Sequence, residues 1–451
     1  MSLLQIARTL ALAGGTAGLA GAQDPARIPI ETYTLPNGLR VVLAEDHSAQ
    51  VVAVDMWYDV GSRNEVRSRT GFAHLFEHMM FQGSANVKKG EHMQLVERAG
   101  GDMNGSTWDD RTNYYQVLPS NRLDLGLWLE ADRMRTLAIT DSNFHNQRET
   151  VKEERRLRVD NQPYAGALRM GLFLPFDSTT CFGYAHEGIG SMADLDAAKT
   201  DDVRAFFKLY YTPNNATLTV AGDFTPREAK ALIEQYFGGI PRGETPPPVR
   251  CEQAMNTGLV RRRVSDSKAT LPAVFQFYRI PEYRSDDMPA IELLSTILGQ
   301  GESSRLNRVL ARDTKAAAAA QAIANPSGGH RGGPGVFFAL AVANAGVTAD
   351  SIDGLLAKEI FRLSSEGVTA EELTKAKNSY RSQTINERQR ALQLAEAIQR
   401  ASLYFGNADA INSDLDRYMK VTLEDLRRVA RTYLRPENAV VLLVVPGGTA
   451  Q

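Results

Sequence analysis

Two stretches half a chain apart repeat one another, and that repeat limits the folds open to this 451-residue chain more than any other feature. DDVRAFFKLYYTPNNATLTVAG begins at Asp201, and EDLRRVARTYLRPENAVVLLVVPG begins at Glu424. Set without gaps, Asp202, Arg204, Tyr210, Pro213, Asn215 and Ala216 fall on Asp425, Arg427, Tyr433, Pro436, Asn438 and Ala439. Each copy reads as an amphipathic helix, a Pro-Asn turn and an apolar strand. Six identities in one register argue against chance similarity of two common units. The front ends echo each other more weakly: VVAVDMWYDVGSR and PAVFQFYRIPEYR both read as alternating apolar strands that end in a Tyr and a turn. Between the halves, Pro241, Pro246, Pro247 and Pro248 forbid a continuous helix or a central strand. The expected fold is α+β, two homologous α/β-sandwich domains at residues 28–240 and 262–446, with a Pro-rich linker over 241–261.

The length agrees, being too great for one ordinary core. Hydrophobic residues at 43% and charged residues at 23% are those of a soluble globular protein. A formal net charge of −2 gives no global field that favours nucleic acid or an anionic membrane. Residues 1–22, MSLLQIARTLALAGGTAGLAGA, differ in kind from the rest. Arg8 precedes a short Gly- and Ala-rich apolar run, and Ala20-Gly21-Ala22 offers a small-x-small cleavage site before Gln23. That reads as a signal peptide, with the periplasm as the destination if the source is Gram-negative. The run is too short and glycine-rich for a membrane span, no Cys follows it for a lipid anchor, and no other run approaches the length of a membrane helix. A mitochondrial presequence would carry more arginines. Cys181 and Cys251, the only cysteines, could form one disulfide in an oxidising compartment or stay as two buried thiols; sequence alone does not place their Cα atoms.

Chemistry concentrates in HLFEH, residues 74–78, within RTGFAHLFEHMMFQGS. Leu75, Phe76, Met79, Met80 and Phe81 surround the polar trio and Gly71 and Gly83 bound it, so the spacing predicts a mostly buried helix. His74 and His78, four residues apart, share one helix face and can reach a single metal ion. Glu77 projects beside them, able to touch a metal-bound water without ligating the metal. Imidazoles suit zinc, and a catalytic zinc site takes three protein ligands and leaves a fourth position open. The third ligand is expected on the charged helix NQRETVKEERRLRVDNQP, where Glu149, Glu153 and Glu154 all qualify by spacing.

HxxEH inverts the common zinc-peptidase motif HExxH. Around it the chain resembles the M16 (pitrilysin-like) zinc peptidases, in particular their short bacterial and mitochondrial-type members. Five segments carry the likeness in the family's order: LPNGLRVVLAED, HLFEHMMFQGS, TNYYQVLPSNRLDLGLWLEADRM, EGIGSMADLDAAKTDDVRAFFKLYYTPNNATLTVAGDF and LGQGESSRL. The resemblance implies the M16/LuxS-like fold. It also implies Glu154 as third ligand, since the family's V-x-x-E pattern maps onto Val151 and Glu154. His74, His78 and Glu154 would then hold Zn2+, and Glu77 would be the general base. The family adds its peptide substrate as a strand on a sheet edge; the matching segment, GGDMNGSTWDDRTNYY, offers Asn104 and Gly105 as contacts. Alone, that segment reads equally as an interior strand with a Gly bulge.

Two departures stand out. Where many relatives carry a glutamate seven residues before the third ligand, this chain has Gln147. Active relatives also carry an Arg and a Tyr seven residues apart on the domain facing the zinc. Here the arginine maps to Arg312, but the tyrosine position is Ala319, inside a run of five alanines. An alanine side chain cannot donate a hydrogen bond to an oxyanion, and Arg312 alone could be an ordinary surface ion-pair residue. Because some short members divide the work between paired chains, the resemblance implies the zinc-bearing subunit of a heterodimer whose homologous partner supplies the Arg/Tyr pair, with a homodimer as the alternative. The expected function is an exported zinc metalloendopeptidase for short or unfolded peptides. The competing classes are a structural or assembly subunit and a module that holds peptides without cutting them. His47, His92, His145, His186 and His330 read as surface or structural, and PSGGHRGGPG as a mobile hairpin loop without phosphate-loop context.

Overall fold

A computed structural model describes residues 27–254, 258–326 and 328–447. The signal-like segment 1–22 lies outside them. Among the described residues, eleven strands form two sheets: β1 Glu31–Thr34, β2 Arg40–Glu45, β3 Val51–Tyr58, β4 Asp102–Thr107, β5 Thr112–Pro119 and β6 Ala216–Gly222 in the first, β7 Val260–Asp266, β8 Ala273–Ile280, β9 Ala317–Ala324, β10 Gly335–Ala343 and β11 Val440–Pro446 in the second. The first sheet runs β1-β2-β6-β3-β5-β4 and the second β7-β11-β8-β10-β9. Apart from the added edge strand β1, the two orders are the same, with β6 and β11 in equivalent places. Each sheet holds one parallel pair, β2 with β6 and β7 with β11, in otherwise antiparallel pairing. The repeat seen in sequence is thus a repeat of topology: the Thr200–Tyr210 helix leads through Pro213–Asn215 into β6, as Leu423–Tyr433 leads through Pro436–Asn438 into β11. The described residues of 238–259 carry no helix or strand.

The halves interlock through their helices. One face of the first sheet packs on its own helices around Leu75, Phe76, Leu127 and Phe237. Its other face, with Val42, Ala53 and Ala221, is covered by Leu394, Ala395 and Ile398 of the Ala391–Phe405 helix from the second half. The second sheet is treated reciprocally: Phe275, Phe277 and Phe338 pack against Ala167 and Phe176, on and just after the first half's Ala165–Phe173 helix. Gly171 sits at the closest approach, where a Cβ would run into the Phe277 ring. Gln399 ties the covering helix down by donating to the Asp55 and Thr217 carbonyls at 3.0 and 2.8 Å. β3 and β8, expected as alternating apolar strands, are covered on both faces. Seven of the eight residues of β3 and all of β8 are buried, because both faces of each sheet are covered.

Cys181 and Cys251 are joined in a disulfide, Cα atoms 4.2 Å apart, which fastens the Pro-rich stretch to the first half. The Gly-rich hairpin between β9 and β10 is pinned rather than free. His330 is buried, stacked 3.9 Å from Tyr184 and bonded to Asp109 Oδ2 at 2.9 Å. The Arg331 N–H donates to Asp110 Oδ2 at 2.6 Å, and its guanidinium pairs with Asp59.

Candidate metal centre

HLFEH lies on the Phe72–Met79 helix as expected. Phe72, Leu75, Phe76 and Met79 face the core, with Phe76 stacked on Tyr211 at 4.9 Å and Phe206 at 5.2 Å. The opposite stripe therefore presents His74, Glu77 and His78 together. The helix start is fixed twice over. Gly71 has φ 89°, and a Cβ on it would come within 2.8 Å of Gly190 Cα. The buried carboxylate of Glu65 accepts from the Gly71 and Ala73 N–H groups, both at 2.8 Å, where helix dipole and free donors favour an anion. His186 lies against Glu65 at 3.0 Å, and that ion pair keeps the imidazole pKa raised despite the opposing effect of burial. Neither Glu65 nor His186 was legible as part of the site, since nothing in their spacing marks them.

Glu154 comes from the Asp141–Arg155 helix, capped by Thr140 accepting from the Asn143 N–H at 3.2 Å. Phe144 and Val151 bury one face of this helix, and Glu154, three residues after Val151, turns toward the histidines. Its Oε2 lies 3.1 Å from His78 Nε2 and 3.6 Å from His74 Nε2. Arg158 holds the other oxygen at 2.8 Å. The other two candidate glutamates point elsewhere: Glu149 pairs with Lys152 at the surface, and Glu153 with Arg156. Gln147 is buried and bonded to Asn146 at 2.8 Å. Among the described residues, His74, His78 and Glu154 form one group whose ligand atoms all lie within 4.8 Å. The chemistry of the set, two imidazole nitrogens and a carboxylate oxygen with a fourth side open, fits zinc. Burial and then the neighbouring His78 hold the His74 pKa well down, which keeps the ring neutral; the hydrogen bond to His78 is the first of the effects that hold Glu154 down as carboxylate. Among the described residues, His74 Nδ1 is buried without a protein hydrogen-bond partner. Burial lifts the Glu77 carboxyl above its usual range, against the pull of the Thr107 hydroxyl and His78.

His74, Glu77 and Glu154 line a cavity of about 640 Å³. β4 forms one wall with Asn104 and Gly105, while Ile323, Pro326 and Phe338 reach in from the second half. β4 pairs with β5 alone, leaving its other edge open, so it is not an interior strand. Asn104 Oδ1 accepts from the Gly105 N–H at 2.9 Å, and a Cβ on Gly105 would sit 3.0 Å from the Tyr114 ring. Arg312 is not among the residues lining this cavity; it is exposed on the Asn307–Asp313 helical segment, and Ala319 is exposed on the edge strand β9. β9 occupies in the second sheet the place β4 occupies in the first.

Comparison with known proteins bears on the family and the fold. Residues 40–170 match the family model described as insulinase (peptidase family M16), and residues 197–380 match the model described as peptidase M16 inactive domain. The zinc protease PqqE of Helicobacter pylori is 29% identical over 427 residues, 92% of this chain and 93% of that protein. A crystal structure of a protease from Helicobacter pylori superposes with TM-score 0.87 at 28% identity, covering 93% of this chain and all of that one. The peptidase M16 inactive domain of Pseudomonas fluorescens shares the fold, with TM-score 0.82 at 16% identity over 94% of this chain and 99% of that one.

Proposed function

The chain belongs to the M16 (insulinase) family of peptidases, and from that premise we propose that it is a zinc metalloendopeptidase acting on short or unfolded peptides. The observation that carries this reading is the convergence of His74, His78 and Glu154 within 4.8 Å beside a cavity walled by an open-edged strand. Zinc held by those three side chains would polarise the scissile carbonyl and make the attacking water more acidic. Glu77 would accept a proton from the attacking water and return one to the leaving amine. A carboxyl lifted by burial suits a group that must both take and give a proton. The peptide lies along β4 as an added strand, with Asn104 and Gly105 exchanging their mutual hydrogen bond for bonds to substrate. Main-chain pairing of this kind asks little of the peptide's sequence.

The reading takes residues 28–240 as the zinc-binding domain, 262–446 as the homologous domain facing it, and 241–261 as the linker. It places the protein outside the cytoplasm, in the periplasm of a Gram-negative cell; the signal-like residues 1–22 and the disulfide support export. No helix among the described residues is long and apolar enough to cross a membrane. Because Arg312 is exposed and the Ala319 side chain has no donor, the oxyanion is held by a homologous M16 chain with an intact Arg/Tyr pair, in a heterodimer; a homodimer using Arg312 alone is the alternative. The same two residues favour a second reading, a catalytically weak assembly or peptide-holding subunit. The test is turnover of a mixed fluorogenic peptide library by the zinc-loaded chain alone, then with a homologous partner. Cleavage in either arm supports the peptidase reading, and only the paired arm would show that a partner is required. Full zinc occupancy with no cleavage in either arm supports the second reading.

A further inference from the structure

The Ala165–Phe173 helix packs Ala167 and Gly171 on the second sheet, and its neighbouring face, with Leu168, Arg169 and Leu172, lines the metal cavity. Arg158 lines the same cavity from the segment that follows Glu154. There the Asp141–Arg155 helix widens into a π-helical turn, Arg156–Asp160, closed by the Asn161 N–H donating to the Arg156 carbonyl at 2.8 Å. A wider turn of this kind shifts the side chains that follow it. Arg158 comes back onto Glu154 Oε1 at 2.8 Å while its side chain stays exposed. Two guanidiniums therefore stand in the cavity, one of them on the carboxylate of a metal ligand.

The nearby acids are committed elsewhere. Glu77 and Glu154 belong to the metal centre, and Asp109 accepts from Ser62 Oγ and bonds His330, both at 2.9 Å. Glu187 lies outside the cavity lining and accepts from Arg155 Nη1 at 2.5 Å; its contact with Arg169 Nε, at 3.7 Å, is too long for a hydrogen bond. Ile323, Pro326 and Phe338, reaching in from the second half, carry no charge. As ordinary surface ion pairs the two arginine contacts would contribute little; their place in the cavity is what gives them work. A guanidinium offers five N–H donors in a fork that matches a carboxylate. Water serves those donors in the free protein, and a substrate carboxylate can take its place with parallel charge-assisted bonds. We infer that Arg158 and Arg169 make this cavity selective for peptides that carry a carboxylate close to the bond to be cut, from a Glu or Asp side chain or from the peptide's own C-terminus. The inference rests on the peptidase reading and narrows its substrate class. Residues of an added strand advance about 3.3 Å each, so a carboxylate far along the peptide lies out of reach of both arginines.

The test is peptide binding, read by fluorescence anisotropy on the zinc-loaded Glu77→Gln chain, which holds peptide without cutting it. Labelled peptides are compared in pairs that differ in one group. One set has both ends blocked and carries Glu or Gln at each position in turn; the other is neutral and ends in a free carboxylate or its amide. The carboxylate form binds about five- to tenfold more tightly in one set or both, and the set that responds identifies the source. The advantage is confined to a few adjacent positions and shrinks at high salt. Arg158→Gln and Arg169→Gln each reduce it and together abolish it, and Arg169→Glu turns the preference toward Lys-bearing peptides. Zinc content is measured in every variant; if Arg158→Gln loses zinc, the test stands on Arg169, which touches no ligand. Equal binding within every pair, a preference unchanged in a zinc-loaded Arg169→Gln chain, or no binding of any peptide would overturn the inference. Turnover is a separate readout, so failure here leaves the peptidase reading standing. A chain that prefers these peptides and never cuts them, alone or with a partner, would instead sink the peptidase reading.

Discussion

At the scale of single residues, the metal centre rests on Glu65 as much as on its ligands. Its carboxylate satisfies two N–H groups at the start of the HLFEH helix and pairs with His186. Replacing it by Ala leaves buried donors unbonded, at a cost of about 1–3 kcal/mol. Glu65→Ala is therefore expected to lower the stability measured by urea unfolding by that amount and to weaken zinc binding in a chelator competition, with Glu65→Gln recovering part of both. His74, Glu77 and His78 were legible because helical periodicity puts them on one face without any knowledge of the fold. The third ligand was not legible by spacing: Glu149, Glu153 and Glu154 share one helix, and only the burial of Phe144 and Val151 decides which of them faces the histidines. Glu65 and His186 come together through a loop contact between residues far apart in sequence, which no local pattern records.

Among elements, the site depends on helices that cross between halves. The Ala165–Phe173 helix approaches the second sheet so closely at Gly171 that even a methyl group collides with Phe277. Gly171→Ala should destabilise the protein by about 1–3 kcal/mol through overpacking, measured by denaturant unfolding; an unchanged midpoint would mean that the two halves are not docked in this way. The helix, turn and strand of each repeat were legible, since both copies carry the same polar and apolar spacing. The exchange of covering helices was not. An apolar stripe on Ala391–Phe405 looks the same whether it packs on its own sheet or on the other one, and the apolar pattern of β3 and β8 does not say which helices cover them.

Across the whole molecule, the Gly-rich hairpin is an ionic latch between the halves. Burial alone would lower the His330 pKa, but its hydrogen bond to Asp109 outweighs this and raises it above 6.5; the same bond holds Asp109 below 3.8 against its own burial. A raised histidine contributes stability that is full below pH 6.5 and is lost as pH rises through its folded value. A lowered aspartate contributes stability that is full above pH 3.8 and is lost as pH falls through its folded value. The latch is thus tightest between about pH 4 and 6.5, and each tenfold gain in proton affinity on folding corresponds to about 1.4 kcal/mol. Unfolding midpoints should fall between pH 6 and pH 9, and His330→Gln should flatten that slope; an equal slope in both would mean that the hairpin is held without this ion pair. The loop's composition suggested mobility because glycine is permissive in isolation, whereas Asp59, Asp109 and Asp110, which pin it, lie in the other half.

The most direct test of the central claim is to measure zinc content and peptide hydrolysis on the same preparations of wild type and Glu77→Gln, each with whatever partner the wild type needs for turnover. Glu77 stands beside the ligands without being one of them, so the expected result is equal zinc in both and a loss of about 10²–10⁴-fold in kcat for the variant. Undiminished hydrolysis by a zinc-loaded Glu77→Gln chain would contradict the role given to Glu77.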